Sequence, residues 1–351
     1  MTAHRDVRLL YTGFGSPSTP AMLEALGQST RYRAHIIATD MQPLAGNLYL
    51  DQVAARHVVP EAGPGLEYVE AVCDLVGRER ADVYLSTCEE EYIWIARHRD
   101  RLERLGCRML LPPYDALAVS YDKRRTYRTL EDRGYRYPLI PTVDAPAAGE
   151  AEGILDRFGG EAILKATDRS GAREVHLVDD AADLARRLDS AARRGVDCIV
   201  QQFLRGSEWN VSTLHDHDGR LVYAVPRRKI EDRPIKSSTL AAVIEDHDAI
   251  RAAGIEVVER LGLTPGFNNV ELLELGGEPY LIEVNGGRIA AQDQNLVAAG
   301  INLADYFLDL AFEEPVEPVR EYRRGLVSLK IRMDVITTVD SLLDEERPGT
   351  A

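Results

Sequence analysis

Cysteine is scarce in this chain. Cys73, Cys88, Cys107 and Cys198 are the only four among 351 residues, widely spaced and with no CxxC pair. That spacing supports neither a zinc site nor a disulfide framework, and a reducing cytoplasm is the expected compartment. Basic charge is also in deficit: 42 Lys and Arg stand against 57 Asp and Glu, a net charge of −15. This argues against a nucleic acid or an anionic membrane as partner, because both reward a basic surface. No apolar run approaches the length of a bilayer span, and Met1 to Arg8 does not read as a signal peptide. Gly13-Phe14-Gly15-Ser16 lacks the third glycine of GxGxxG, with Pro17 to Thr19 in its place. The segment therefore reads as a tight turn rather than a dinucleotide site. The eight histidines sit in no triad-like context, with His215 and His217 expected at a hairpin tip, so Ser/His/Asp catalysis has no support.

What is present is ordinary globular composition, 45% hydrophobic and 28% charged, in a chain of 39.0 kDa. That size exceeds one domain, and two or three lobes are expected. From about residue 5 to 118, Val7–Tyr11, His35–Thr39, Asp82–Ser86 and Arg108–Leu111 read as strands with helices between them, the pattern of a doubly wound parallel sheet. Thr87-Cys88-Glu89-Glu90-Glu91 follows the third of these, at the sheet edge where open α/β folds bind ligands. Its acids suit either a substrate ammonium or the first turn of a helix, where carboxylates favour the macrodipole.

The most informative stretch is Phe267 to Arg288, FNNVELLELGGEPYLIEVNGGR. Two strands are expected, Asn268–Leu275 and Pro279–Asn285, joined across Gly276 and Gly277. A three-residue loop, Gly276 to Glu278, sets Glu271 opposite Glu283 and Asn269 opposite Asn285. A two-residue loop puts the carboxylates on opposite faces, so the three-residue register is expected. Facing carboxylates cost stability unless a cation sits between them, and a nucleotide-bound magnesium ion takes such hard oxygen ligands. The alternative is a solvated sheet face, but Val270, Leu272, Leu281, Ile282 and Val284 leave both faces otherwise apolar.

Upstream, Asp122 is placed to cap a helix running to Arg133, with Gly134 ending it. Lys123 in the first turn does not help that helix electrostatically, which points to an anionic partner. Ala162-Ile163-Leu164-Lys165-Ala166 reads as a buried strand holding one charge. Burying an ammonium is costly without an anion, so Lys165 is a phosphate candidate. The loop Thr167 to Arg173 and a strand Glu174–Val178 follow, then a strand Asp197–Leu204 and a strand Val222–Val225. The basic run Arg227-Arg228-Lys229, with Arg233 and Lys236, is expected beyond that last strand. Helix Asp246–Leu261 delivers the chain to the hairpin, helix Asn302–Phe312 follows it, and Gly325–Val335 is a candidate closing strand before a frayed tail from Leu342.

With the preceding glycine, GFNNVELLELGGEPYLIEVNGGR resembles the metal-binding hairpin of the ATP-grasp superfamily, closest to ligases resembling the carbamoyl-phosphate synthase large subunit. The resemblance implies an α/β fold with α+β lobes. Residues 1–118 would form a Rossmann-like pre-ATP-grasp lobe and 119–314 the ATP-grasp domain, with a small lid lobe at about 137–205 entered by a strand over Tyr135–Val143. Residues 315–351 would be a closing segment and tail. It also implies ATP and Mg2+ as cofactors, with Mn2+ as the alternative ion. Glu271, Glu283 and Asn285 would be metal ligands, and Lys123 and Lys165 phosphate ligands. Ser170 and Gly171 belong to a phosphate loop poorer in glycine than usual. Gln202, Phe203 and Leu204 would line the adenine and Glu208 the ribose, while Arg228 and Arg288 would act on the transferring phosphoryl group. Arg288 lies one residue further on than in the family's usual N-P-R. The implied activity is ATP-dependent carboxylate–amine ligation through an acyl phosphate, releasing ADP and phosphate. The alternatives are a kinase of the same fold and a non-catalytic nucleotide-binding module. Partners would be small-molecule carboxylates and amines, with homodimerisation left open.

Overall fold

The structure, a computed structural model, describes residues 4–168, 174–230, 239–331 and 333–343. The first part of the chain folds as β1 (Arg5–Thr12), α1 (Thr19–Gln28), β2 (Tyr32–Asp40), β3 (Val53–Val58), α2 (Glu67–Glu79), β4 (Val83–Ser86), α3 (Glu89–Arg97), α4 (Arg99–Arg104) and β5 (Arg108–Met109). The strands form a parallel sheet in the order β3-β2-β1-β4-β5. The expected set lacked β3, whose residues are half-exposed and carry Arg56 and His57 at an edge of the sheet, so no buried apolar run announces it. The Gly13 turn is structural: Asp40 accepts hydrogen bonds from Gly15 N (2.7 Å) and Gln42 N (2.9 Å), which ties down the loop after β1.

Two helices, α5 (Tyr114–Tyr121) and α6 (Lys123–Asp132), lead out of this sheet. Asp122 caps α6 by accepting from Arg125 N at 3.0 Å. A four-stranded antiparallel sheet follows in the order β6-β9-β7-β8, from β6 (Thr142–Asp144), β7 (Ala162–Ala166), β8 (Val175–Val178) and β9 (Cys198–Gln202). Helices α7 (Ala151–Phe158) and α8 (Ala181–Arg193) cover it, and together they enclose a separate apolar core around Leu155, Leu164, Leu184 and Val200. The strand expected over Tyr135–Val143 is only β6. Tyr135 and Tyr137 instead pack against each other and the main core.

The third sheet has six antiparallel strands, ordered β14-β13-β10-β11-β12-β15. They are β10 (Ser207–His215), β11 (Leu221–Lys229), β12 (Ala241–Ile244), β13 (Gly266–Leu275), β14 (Glu278–Gly286) and β15 (Val327–Leu329), the last much shorter than the expected Gly325–Val335. One face packs on α9 (Asp248–Leu261): Trp209, Val211, Val270, Leu272 and Val284 meet Ile250, Ala253 and Val257 in a core that continues into the parallel sheet. Gly254 is needed there, since a Cβ on it would stand 2.8 Å from that of Val211. Helices α10 (Gln294–Ala298) and α11 (Leu303–Ala311) pack beneath α1, with Asn302 capping α11.

The hairpin corrects the sequence expectation in an instructive way. Its turn is the two-residue Gly276-Gly277, with φ of 64° and 89°, the paired positive values of a tight primed turn. Leu275 therefore pairs with Glu278, and Leu272 with Leu281. A β-bulge at Ile282 then shifts the register by one residue, and beyond it Glu271 faces Glu283 and Asn269 faces Asn285. The expected pairing is present, but the bulge produces it rather than a three-residue loop.

Candidate functional site

The face of the six-stranded sheet turned away from α9 carries the polar residues. Register places Glu208, Asn210 and Ser212 of β10, Arg227 and Lys229 of β11, Asn269 and Glu271 of β13, and Glu283 and Asn285 of β14 on it. Arg227-Arg228-Lys229 lies inside β11 rather than in a loop beyond it, and strand alternation sends Arg228 to the opposite face. There its guanidinium holds Glu245 through bonds of 2.7 and 2.9 Å. The expectation that Arg228 serves the site is therefore corrected, because Lys229 occupies the face in its place. Arg228 pairs across the strands with Trp209, which faces α9, and alternation along β11 then gives Lys229 the other face.

Lys229 is buried and spans two candidate residues, with Nζ 2.6 Å from Glu271 Oε2 and 3.2 Å from Glu208 Oε2. Burial works against its charge, but Glu271 and Glu208 outweigh it and hold the ammonium above the usual lysine range. Lys123 Nζ stands 4.0 Å from Glu283 Oε2. The backbone carries Lys123 towards the four-stranded sheet as well, since its N–H donates to Thr167 O at 2.9 Å. Lys165, at the inner end of β7, is 6% exposed, and burial pushes it down to about 8 against the pull of nearby Glu283. The facing carboxylates expected to repel one another are thus compensated by side-chain cations.

Arg288 closes the far end. Its Nη2 donates to Asn285 Oδ1 at 2.6 Å, and its Nε lies 3.9 Å from Glu89 Oε1 at the start of α3. Burial pushes Glu89 up to about 7, with Arg288 acting in the opposite sense. The loop bearing Arg288 is pinned by a buried network that sequence reading missed. Arg227 pairs with Asp293 at 2.7 Å and donates to Ser212, Ser212 Oγ donates to Asp293 at 2.7 Å, and Asp293 accepts from Ala290 N at 2.8 Å. A cleft runs between α3, α5, α6 and the hairpin, lined by Glu89, Ser120, Lys123, Thr126, Tyr127, Glu283 and Asn285 among others.

The structure therefore brings Lys123, Lys165, Glu208, Glu271, Glu283, Asn285 and Arg288 to one region. Gln202, Phe203 and Leu204 are half-buried on the connection between the two antiparallel sheets. Gln202 N donates to Pro141 O at 2.9 Å, Gln202 Nε2 donates to Phe158 O at 3.3 Å, and Arg205 sits over the Phe203 ring. Ser170 and Gly171 lie outside the described residues, as do Arg173, Arg233 and Lys236. Among the described residues no group of three or more His, Cys, Asp or Glu side chains is arranged to hold a metal. Two carboxylates and an amide remain, hard oxygen donors that suit magnesium if phosphate oxygens and water complete its shell.

Residues 120–292 match the family model described as the ATP-grasp domain. The chain carries an ATP-grasp domain. It contains the hairpin, the face with Lys229, and Lys123 and Lys165. Relatives of this ATP-grasp chain include a D-alanine–D-alanine ligase of Marinobacter nauticus, 26% identical over 60% of this chain and 71% of that protein. Another is a D-alanine–D-alanine ligase of Desulforudis audaxviator, 25% identical over 48% of this chain and 59% of that protein, so less than two thirds of its length is spanned. Among solved structures, biotin carboxylase from Campylobacter jejuni superposes with a TM-score of 0.70 at 16% identity, covering 91% of this chain and 74% of that one. An L-amino acid ligase from Bacillus licheniformis gives 0.66 at 17% identity, covering 90% and 76%. At these identities the superpositions speak for the fold. Among the described residues no helix is long and apolar enough to cross a membrane.

Proposed function

We propose that this protein is an ATP-dependent carboxylate–amine ligase that forms an amide or peptide bond through an acyl phosphate and releases ADP and phosphate. The observation that carries the reading is the bulged hairpin, which turns Glu271, Glu283 and Asn285 to one face with Lys123, Lys165 and Arg288 around them. In this reading Lys123 and Lys165 hold the phosphates of ATP, together with Ser170 and Gly171 of the adjoining loop. Gln202, Phe203 and Leu204 border the adenine, and Glu208 receives the ribose hydroxyls. Glu271, Glu283 and Asn285 would hold Mg2+, which supplies charge neutralisation at the β- and γ-phosphates. Arg288, half-buried beside Asn285, offers a guanidinium to the charge that develops as the γ-phosphoryl group moves to the substrate carboxylate. Lys229 fixes Glu271 and Glu208 relative to each other, so the metal and ribose positions are set as a unit. The ligase relatives support this class, and their substrates give the first carboxylates and amines to try.

The bond that breaks is the test. Lysines and a metal site converging on the β- and γ-phosphates favour γ-phosphoryl transfer, so the nucleotide product is ADP. With amino acids and small carboxylates screened against hydroxylamine, the enzyme is expected to form a hydroxamate with ADP and phosphate in equal amounts. Stoichiometric AMP and pyrophosphate would overturn the proposal. A stable phosphorylated product indifferent to added amine would move it to the kinase reading.

A further inference from the structure

Resting on the ligase reading, we propose that Glu89 receives the ammonium group of the amine substrate, so that the second substrate is a primary amine that binds as a cation and gives up a proton to water before its nitrogen attacks the acyl phosphate. Glu89 opens α3 directly after β4, and β1 lies between β2 and β4 in the parallel sheet. Its carboxylate is therefore at the carboxyl edge, beside the point where strand order reverses and where such sheets take ligands. It lines the cleft with Ser120, Lys123, Tyr127, Glu283 and Asn285.

Two features of this carboxylate are unfinished. It is 8% exposed, and among the described residues its ion pair is with Arg288 at 3.9 Å, too long for a hydrogen bond. The opposing atom, Arg288 Nε, is itself buried without a hydrogen-bond partner. A buried carboxylate that lacks donors is costly, and the deficit is met by a ligand carrying positive charge and several N–H groups. A primary ammonium has both. A carboxylate, phosphate or bicarbonate would be repelled by Glu89, and a neutral hydroxyl would leave its charge uncompensated. If Glu89 served only to orient Arg288, the pair would be expected to close to hydrogen-bonding distance.

The experiment compares nucleophiles with a carboxylate that supports hydroxamate formation in the wild type. Hydroxylamine is neutral near neutral pH, whereas glycine, L-alanine and methylamine carry ammonium groups. Glu89→Gln is expected to raise KM at least about tenfold for the ammonium probe that the wild type uses, the loss of one charge-assisted hydrogen bond. The KM values for hydroxylamine and ATP should change less than about threefold. Glu89→Asp, which keeps the charge on a shorter arm, should fall between wild type and Glu89→Gln, and it carries the test if the glutamine variant does not fold. Equal losses with hydroxylamine and the ammonium probe would show a role in orienting Arg288 and overturn the inference. So would an unchanged ammonium KM, or a wild type that uses hydroxylamine but none of the ammonium probes. A wild type that forms no hydroxamate and releases no ADP would instead overturn the ligase reading on which this rests.

Discussion

Replacing Lys229 with methionine removes a cation from between two carboxylates while keeping most of the apolar stem. The Lys229 side chain is 4% exposed, and those of Glu208 and Glu271 are 21% and 22% exposed. Breaking a buried ion pair by deleting one partner costs about 3–5 kcal/mol. Here water can still reach both carboxylates, which brings the expected loss to about 2–3 kcal/mol. Glu271→Gln leaves Lys229 with Glu208 and should cost less. The double variant should recover at least about 1 kcal/mol relative to the sum of the single changes. Urea unfolding followed by tryptophan fluorescence reads this out, since Trp209 is buried on the other face of the neighbouring strand β10. The pH dependence has a defined sign. The folded-state pKa of Lys229 is raised, so its contribution is complete below the unfolded lysine value and fades only as pH rises through the higher folded one. The gap between wild type and Lys229→Met should therefore stay constant from neutral pH to about pH 10. A loss below about 0.5 kcal/mol, or a gap that closes between neutral pH and about pH 9, would refute the claim that this lysine ties the two carboxylates together.

Lys165 should behave in the opposite sense. With its folded pKa lowered to about 8, the unfolded chain holds the extra proton above that value, so stability should rise between about pH 8 and about pH 10.5, by roughly 3 kcal/mol in the limit. Lys165→Met should flatten that rise in an unfolding series across this window. Deleting Ile282 removes the bulge but keeps Leu281 opposite Leu272 and leaves Glu283, now the next residue, opposite Glu271. ADP release should therefore survive the deletion as it survives Ile282→Val, whereas its loss would show that the extra residue itself, and not the pairing of Glu271 with Glu283, is what activity needs. Glu283→Ala should abolish turnover while retaining the far-ultraviolet circular dichroism of the wild type. Arg228→Ala, which breaks a partly exposed pair with Glu245 on the other face, should keep kcat within about twofold and cost less than about 1 kcal/mol of stability.

Much of the architecture could be read in the residue pattern. The strand β7 was legible to the residue because an apolar run with one lysine is hard to place otherwise, and α6 was legible because Asp122 and Gly134 mark its ends. β3 was not, since a half-exposed edge strand with adjacent Arg56 and His57 and no alternating apolar pattern resembles a loop. Period two also showed that Glu271, Glu283 and Asn285 could share a face, but the turn length inferred to make them do so was wrong. Two glycines with positive φ close the hairpin tightly, and one extra residue at Ile282 rotates the distal strand into place. No local rule announces a bulge, because its position is decided by which side chains α9 accepts on the apolar face. The choice between Arg228 and Lys229 was a tertiary matter for the same reason. Sequence alone determined that this chain has a hairpin bearing two acids and an amide, and one buried lysine, Lys165, upstream of it. The folded sheet decided which cations meet those acids: Lys229 comes from a neighbouring strand, Lys123 from a helix in another layer, and Arg288 is fixed by the distant pair of Arg227 and Asp293. Charges so far apart in the chain are brought within a few ångströms only by packing, which no local spacing encodes.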